Sequence, residues 1–251
     1  MRPLVLLSND DGYASAGIRA MRAALSASAD VVLVAPESEQ SASSHSLSLH
    51  RPLRLRAVEP GVFALDGTPA DCVYVAIHAK ERVLPRRPDL VVSGINHGLN
   101  LGQDAFYSGT VAAAREGALR GIPAVATSAH AAADLERTAK LCAALALRLL
   151  ADHPASGTLL NVNVPRAWAG EVRATRLGSR IYEELVDFRN DPRGREYLWL
   201  GGPAVRHERD PGTDTDAYDD GAVSVTPLLL DLTAPGEHAL AETLVHAVSG
   251  R

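Results

Sequence analysis

The stretch Leu4-Val5-Leu6-Leu7-Ser8-Asn9-Asp10-Asp11-Gly12 is a short apolar run that breaks into two adjacent acids and a glycine. A run this short, with no small-residue cleavage pattern behind it, reads as a buried strand rather than a signal peptide or a membrane span. Ile18 to Leu25 follows with helix formers and an apolar face on Ile18, Met21 and Leu25. Val31-Val32-Leu33-Val34-Ala35 is then a continuous β-branched run ending at Pro36. Runs of that kind are strands buried on both faces of a parallel sheet.

The alternation continues outward. Ser38 to Ser48 is a long serine-rich loop, and Ser46 to Leu55 alternates as an edge strand does. Val62 to Leu65 is a strand. Thr68, Pro69 and Asp71 supply an N-cap, a first-position proline and a first-turn acid for a helix running to about Lys80. Asp89 to Gly94 and Pro123 to Thr127 are strands flanking a helix from Thr110 to Arg120. Leu135 to Leu150 is a longer helix, and Thr158 to Pro165 a further strand. This order defines an α/β chain with a doubly wound, mostly parallel sheet flanked by helices, which binds ligands beyond the carboxyl ends of its strands. From about Gly178 charges, Gly and Pro become dense. Tyr197 to Gly201 and Val223 to Pro227 are strand-like, and Asp210 to Gly221 is acidic and turn-rich, so about 178–222 reads as an extended hairpin arm or a small subdomain.

Composition excludes several classes. The 251 residues carry 25 basic and 30 acidic side chains, a formal net charge of −5, and so lack the basic footprint of a nucleic-acid binder. With aromatics at 4% of the chain, Ala, Val and Leu must fill the core. The two cysteines, Cys72 and Cys142, form neither a metal pair nor a disulfide framework, which fits a reducing, cytoplasmic setting.

The strand ends carry the chemistry. Asn9, Asp10 and Asp11 follow the first strand, Ser41, Ser43 and Ser44 lie after the second, and Asn96, Asn100 and Asp104 follow the Leu90 strand. Adjacent carboxylates with hydroxyl and amide oxygens suit a hard divalent cation, although Asn-Asp-Asp-Gly alone is equally a turn. Ser108-Gly109-Thr110 opens a helix whose free N–H groups attract an anion, although either hydroxyl is also an ordinary N-cap. Gly94, Gly98, Gly102 and Gly109 let backbone approach a ligand, or are plain turn glycines. His45 and His97 lie in the same loops as auxiliary proton-transfer groups, or as ordinary surface histidines. No Gly-x-Ser-x-Gly elbow supports a serine nucleophile, and Gly94-Ile95-Asn96-His97-Gly98 does not fit a dinucleotide fingerprint. Taken together the residues point to a metal-dependent enzyme acting on a phosphate ester.

Ordered blocks across nearly the whole chain sharpen this. They are Ser8-Asn9-Asp10-Asp11-Gly12, Ser41, His45-Ser46-Leu47, Gly67-Thr68-Pro69-Ala70-Asp71, Ser93-Gly94-Ile95-Asn96-His97-Gly98-Leu99-Asn100-Leu101-Gly102, Tyr107-Ser108-Gly109-Thr110-Val111 and Asn161-Val162-Asn163-Val164-Pro165. In these the sequence resembles the SurE family of stationary-phase survival nucleotidases. The resemblance implies a single Rossmann-like domain over 1–251 with a protruding C-terminal β-hairpin arm, and dimers or tetramers built through that arm. It also implies hydrolysis of nucleoside monophosphates with one divalent ion, Mg²⁺ or Mn²⁺, per subunit on Asp10, Asp11, Ser41 and Asn96. Asn9, Asn100, Ser108, Gly109 and Thr110 would hold the phosphate. Leu99 departs from the proline common there, and Glu37 from an aspartate.

Three readings compete. An aspartate of the pair as covalent nucleophile keeps the ion but changes the route. A non-catalytic nucleotide binder would use the same residues. A receiver-type signalling domain also uses an acid pair, but needs a strand-end lysine, whereas Lys80 and Lys140 both fall in predicted helices. The motif windows Ser8–Gly17, Pro36–Leu49 and Ser93–Thr110 contain no Lys or Arg, so a phosphate there depends on a cation and on backbone N–H groups.

Overall fold

The structure, a computed structural model, describes residues 2–182, 186–200, 205–207 and 209–249. In chain order the elements are β1 (Leu4–Ser8), α1 (Ala16–Ser26), β2 (Asp30–Pro36), β3 (Leu55–Glu59), β4 (Val62–Leu65), α2 (Pro69–His78), β5 (Leu90–His97), α3 (Asp104–Tyr107), α4 (Gly109–Leu119), β6 (Ala124–Ala129), α5 (Leu135–Ala151) and β7 (Leu159–Val164). There follow β8 (Val172–Ala174), β9 (Ile181–Tyr182), β10 (Val186–Asn190), β11 (Glu196–Leu200), β12 (Val205–Arg206), α6 (Asp214–Asp219), β13 (Val223–Leu228) and α7 (His238–Ser249).

A nine-stranded sheet runs β3-β4-β2-β1-β5-β6-β7-β13-β8. From β4 to β7 all neighbours are parallel, while β3 and β13 run antiparallel to β4 and β7. The chain passes from β1 to β2 and β4 on one side, then crosses to β5 on the other. The strand order therefore reverses between β1 and β5, which is where an open α/β sheet leaves its ligand crevice.

Period-two alternation divides each strand between two cores. Val5, Leu7, Leu33 and Val92 pack on Ile18, Met21 and Leu25 of α1 and on Cys142, Ala143 and Ala146 of α5. Leu4, Leu6, Val34 and Val91 face the other side, against Val73 and Ala76 of α2 and Val111 and Ala114 of α4. Leu6 and Leu7 are fully buried, each contributing about 1.5–3 kcal/mol relative to exposure. The α2 start is a full capping box. Thr68 accepts from the Asp71 N–H, and Asp71 accepts from the Thr68 N–H.

Three expectations change. Ser46 to Leu55 is not an edge strand: the strand starts at Leu55 and pairs with β4, and the preceding segment is tied down through Thr68 and Asp71 instead. The turn-rich acidic stretch contains α6, capped by Thr213, with Asp214 to Ala217 buried. The segment expected as the arm therefore divides. Within it β10 and β11 form an antiparallel hairpin and β9 pairs with β12, while α6 packs back on β13 and β7. Residues 183–185, 201–204 and 208 of the expected arm lie outside the described residues, Gly201 of the expected strand among them. The short α3 and the terminal α7 are further elements, beyond those expected.

Candidate functional site at the strand crossover

Asp10 and Asp11 follow β1, and Asn96 lies near the end of β5, so the crossover crevice brings them together. A cavity of about 390 Å³ there is lined by Asp10, Asp11, Ser41, Asn96, Asn100 and Ser108, with Glu39, His97, Asp104 and Tyr107 also on its wall. No Lys or Arg lines it. Asn96 arrives through a bulge, because the β5–β6 register shifts between Ser93 and Asn96. Such bulges re-aim side chains beside sites. The Asn96 amide donates to the Gly98 carbonyl at 2.9 Å, which leaves its own carbonyl oxygen as the acceptor end.

The acid pair is unequally held. Asp10 is 5% exposed and accepts a hydrogen bond from the Thr110 hydroxyl. Burial pushes its carboxyl up to about 6; the Thr110 hydroxyl pulls it partly back, and the Asp11 charge adds to the rise. The backbone at Thr110 also favours the Asp10 carboxylate, so the α4 N-terminus already steadies one acid of the pair. Asp11 accepts from the His97 N–H at 3.1 Å. Its carboxyl is likewise raised, by burial first, with the Glu39 charge adding. Gly109 permits this contact: a Cβ there would lie 2.8 Å from the Asp10 Cβ and 3.0 Å from the Ser43 hydroxyl.

The donor set fits a hard cation. The adjacent Asp10 and Asp11 carboxylates, with Glu39 and Asp104 also on the wall, face no Lys or Arg of the cavity lining. Ser41 donates its proton to Glu39 at 2.6 Å, which leaves its oxygen lone pairs available. Among the described residues no three His, Cys, Asp or Glu side chains gather closely enough to hold a metal by themselves. One or two carboxylates completed by neutral oxygens and water is, however, the usual set for Mg²⁺.

Other expected residues take different places. Ser108 lines the cavity and caps α4, accepting from the Val111 N–H at 3.1 Å. The Thr110 hydroxyl is committed to Asp10. Asn9 is fully buried and does not line the cavity; its amide donates to the Gly12 carbonyl and the Ser15 hydroxyl, fixing the turn that carries the acids. Asn100 reaches the cavity but is clamped from behind. Its N–H and carbonyl meet Asn163 at 2.8 and 3.1 Å, Asn161 also donates to the carbonyl, and its amide donates to Ser128. His97 lines the cavity. His45 does not: it pairs with the buried Glu116 at 2.9 Å in a different cavity behind α3. Burial would raise Glu116, but His45 and Arg120 hold it below the usual range.

Sequence reasoning missed three supports. Glu39 orients Ser41. Asn161 and Asn163 share one face of β7 two residues apart, and polar alternation in an otherwise apolar strand was their signal. Asp214 is buried and accepts from the Gly102 and Gly178 N–H groups at 2.9 and 2.7 Å, tying the glycine-rich loop to α6.

The chain is thus a Rossmann-like α/β protein whose strand crossover, where open α/β sheets leave a ligand crevice, lies between the ends of β1 and β5. Comparison with known proteins narrows this: the chain belongs to the SurE family. The family model for Survival protein SurE matches residues 5–184. A relative from Sorangium cellulosum, named 5′-nucleotidase SurE, is 63% identical over 97% of this chain and 96% of its own. One from Methylococcus capsulatus with the same name is 49% identical over 91% and 92%. The crystal structure of the SurE protein from Aquifex aeolicus superposes with a TM-score of 0.84 at 40% identity, covering 96% of this chain and 99% of that one.

Proposed function

We propose that the chain is a metal-dependent phosphomonoesterase that hydrolyses nucleoside monophosphates to nucleoside and phosphate, with one Mg²⁺ or Mn²⁺ ion per subunit. The observation that carries the reading is a cavity at the strand crossover with the Asp10–Asp11 pair, two further carboxylates (Glu39 and Asp104) and no Lys or Arg on its wall. The relatives' shared name, 5′-nucleotidase, supplies the substrate class. Asp10, Asp11, Ser41 and Asn96 would hold the ion. Bound there, a divalent cation supplies the positive charge that phosphate oxygens need and makes water a better nucleophile.

The chain's own residues do the rest. Thr110 and the α4 N-terminus keep Asp10 in place, and the His97 N–H does the same for Asp11. Ser108 borders the cavity and opens α4, so the phosphate oxygens would lie toward that helix start, and charge spread over them in the transition state is what N–H donors stabilise. Asn100 presents a fixed amide because four hydrogen bonds hold it from behind.

Buried free Cys72 and Cys142 suit a reducing cytoplasm. Among the described residues no helix is long and apolar enough to cross a membrane. The β10–β11 hairpin, with Phe188, Leu198 and Leu200 exposed, suits assembly into homodimers or homotetramers. The direct test is phosphate release from 5′-AMP with added Mn²⁺ or Mg²⁺. Activity should appear with metal and vanish in EDTA. Full turnover by EDTA-stripped protein, or none under any metal, rejects the reading.

A further inference from the structure

A second cavity of about 290 Å³ adjoins the first and shares Asp11, Glu39, Asn96 and His97 with it. Its remaining lining is of a different kind: Ala16, Ile95, Ala129, Ala133 and Leu135 offer an apolar floor, and Ser15 and His130 add polar groups. Gly17 sets that floor, since a Cβ there would lie 1.9 Å from the Ile95 carbonyl oxygen, so α1 lies directly on β5. The His130 Nδ1 accepts from the Ala132 N–H at 3.0 Å. In a neutral imidazole the proton then sits on Nε2, which is left as a donor.

We propose that this second cavity takes the nucleoside half of the substrate, with a planar base on the apolar floor and the sugar beside Glu39 at the shared wall. The proposal rests on the nucleotidase reading and assigns it a specificity site. An apolar slot with one ring-nitrogen donor suits a heterocycle that has acceptor atoms at its edge. A carboxylate at the boundary accepts from sugar hydroxyls. The volume is at the lower end for small-molecule pockets, enough for one base rather than a polymer. The larger cavity behind α3, about 900 Å³, shares no lining residue with the acid-pair cavity, whereas this one shares four.

Ala16 and Ala131 are exposed residues on the lining of this cavity, so Ala16→Trp and Ala131→Trp fill it without entering the core. Two quantities are read for each variant. One is the ratio of kcat/KM for 5′-AMP to that for p-nitrophenyl phosphate, and the other is adenosine binding by ligand-observed NMR. Binding energy from the non-reacting part of a substrate enters the first ratio, so both should fall by about tenfold or more. A wild type that does not bind adenosine, or folded variants with ratio and binding unchanged, overturns the proposal. If p-nitrophenyl phosphate is hydrolysed while adenosine does not bind, the nucleoside cavity fails and the phosphatase reading stands. If neither ester is hydrolysed but adenosine binds and both tryptophans weaken it, the cavity stands and the hydrolytic reading fails.

Discussion

Asp10 is a charge placed where the fold alone does not want it. Its carboxyl rises from 3.8 to about 6 because burial outweighs the help of Thr110. Between those values the folded state holds a proton that the unfolded chain has lost, so stability falls as pH rises through that window and the cost is complete above it. A rise of that size corresponds to about 3 kcal/mol at most. Metal-free Asp10→Asn, which keeps an oxygen for the Thr110 hydroxyl, should therefore unfold at higher denaturant than metal-free wild type at pH 7. The gap should close toward pH 4. Equal midpoints at both pH values in urea titrations would show that the carboxylate is not strained. The acid pair's place was legible in the sequence because residues just after the strands of a parallel sheet converge on one rim, although Asn-Asp-Asp-Gly by itself also reads as a turn. The place of His45 was not, since a loop histidine can face either side and its partner, Glu116, lies on a helix seventy-one residues away.

At the scale of elements, a single acid fastens the glycine-rich loop. Asp214 receives two backbone N–H groups, one from the loop after β5 and one from the start of the arm. Asp214→Asn puts a donor where an acceptor is needed and leaves a buried N–H without a partner. Such a loss costs about 1–3 kcal/mol, and the melting temperature should drop by several degrees. An unchanged calorimetric transition would refute the tie. This acid was hidden because its neighbours Asp210, Asp216, Asp219 and Asp220 made the stretch look solvated. Buried parallel strands such as Val31–Ala35 were easy to read, since a continuous β-branched run has one common explanation. The strand at Leu55 was displaced because Ser46–Leu55 alternates without being paired. α3 is too short to show a period, whereas Leu240, Leu244 and Val248 of α7 do recur at helical spacing.

For the whole molecule, the hairpin is the part that cannot be explained by the chain alone. Val186 pairs with Leu200 and Phe188 with Leu198, which puts four apolar side chains on one face, all exposed. A two-stranded ribbon with an uncovered apolar face is at best marginal in water. The Phe188→Asp/Leu198→Asp double variant should give a smaller mass than wild type by size-exclusion chromatography with light scattering. Identical masses would remove the arm from the assembly. The mostly parallel sheet and its flanking helices followed from strand–helix alternation. The arm's boundary did not, because an acidic stretch reads the same whether it faces solvent or returns to the body.

The bulge in β5 has a meaning for how such a sequence is able to vary. Between Ser93 and Asn96 the strand uses one residue more than its neighbour, and everything after that point inherits the offset. Loss or gain of a single residue there would turn Asn96 and His97 to opposite sides of the sheet while leaving every side chain chemically intact. The site is therefore more vulnerable to a change in residue count than to many changes of residue type. A one-residue deletion within this strand should abolish the site where a substitution at Leu99 or Glu37 would leave it standing.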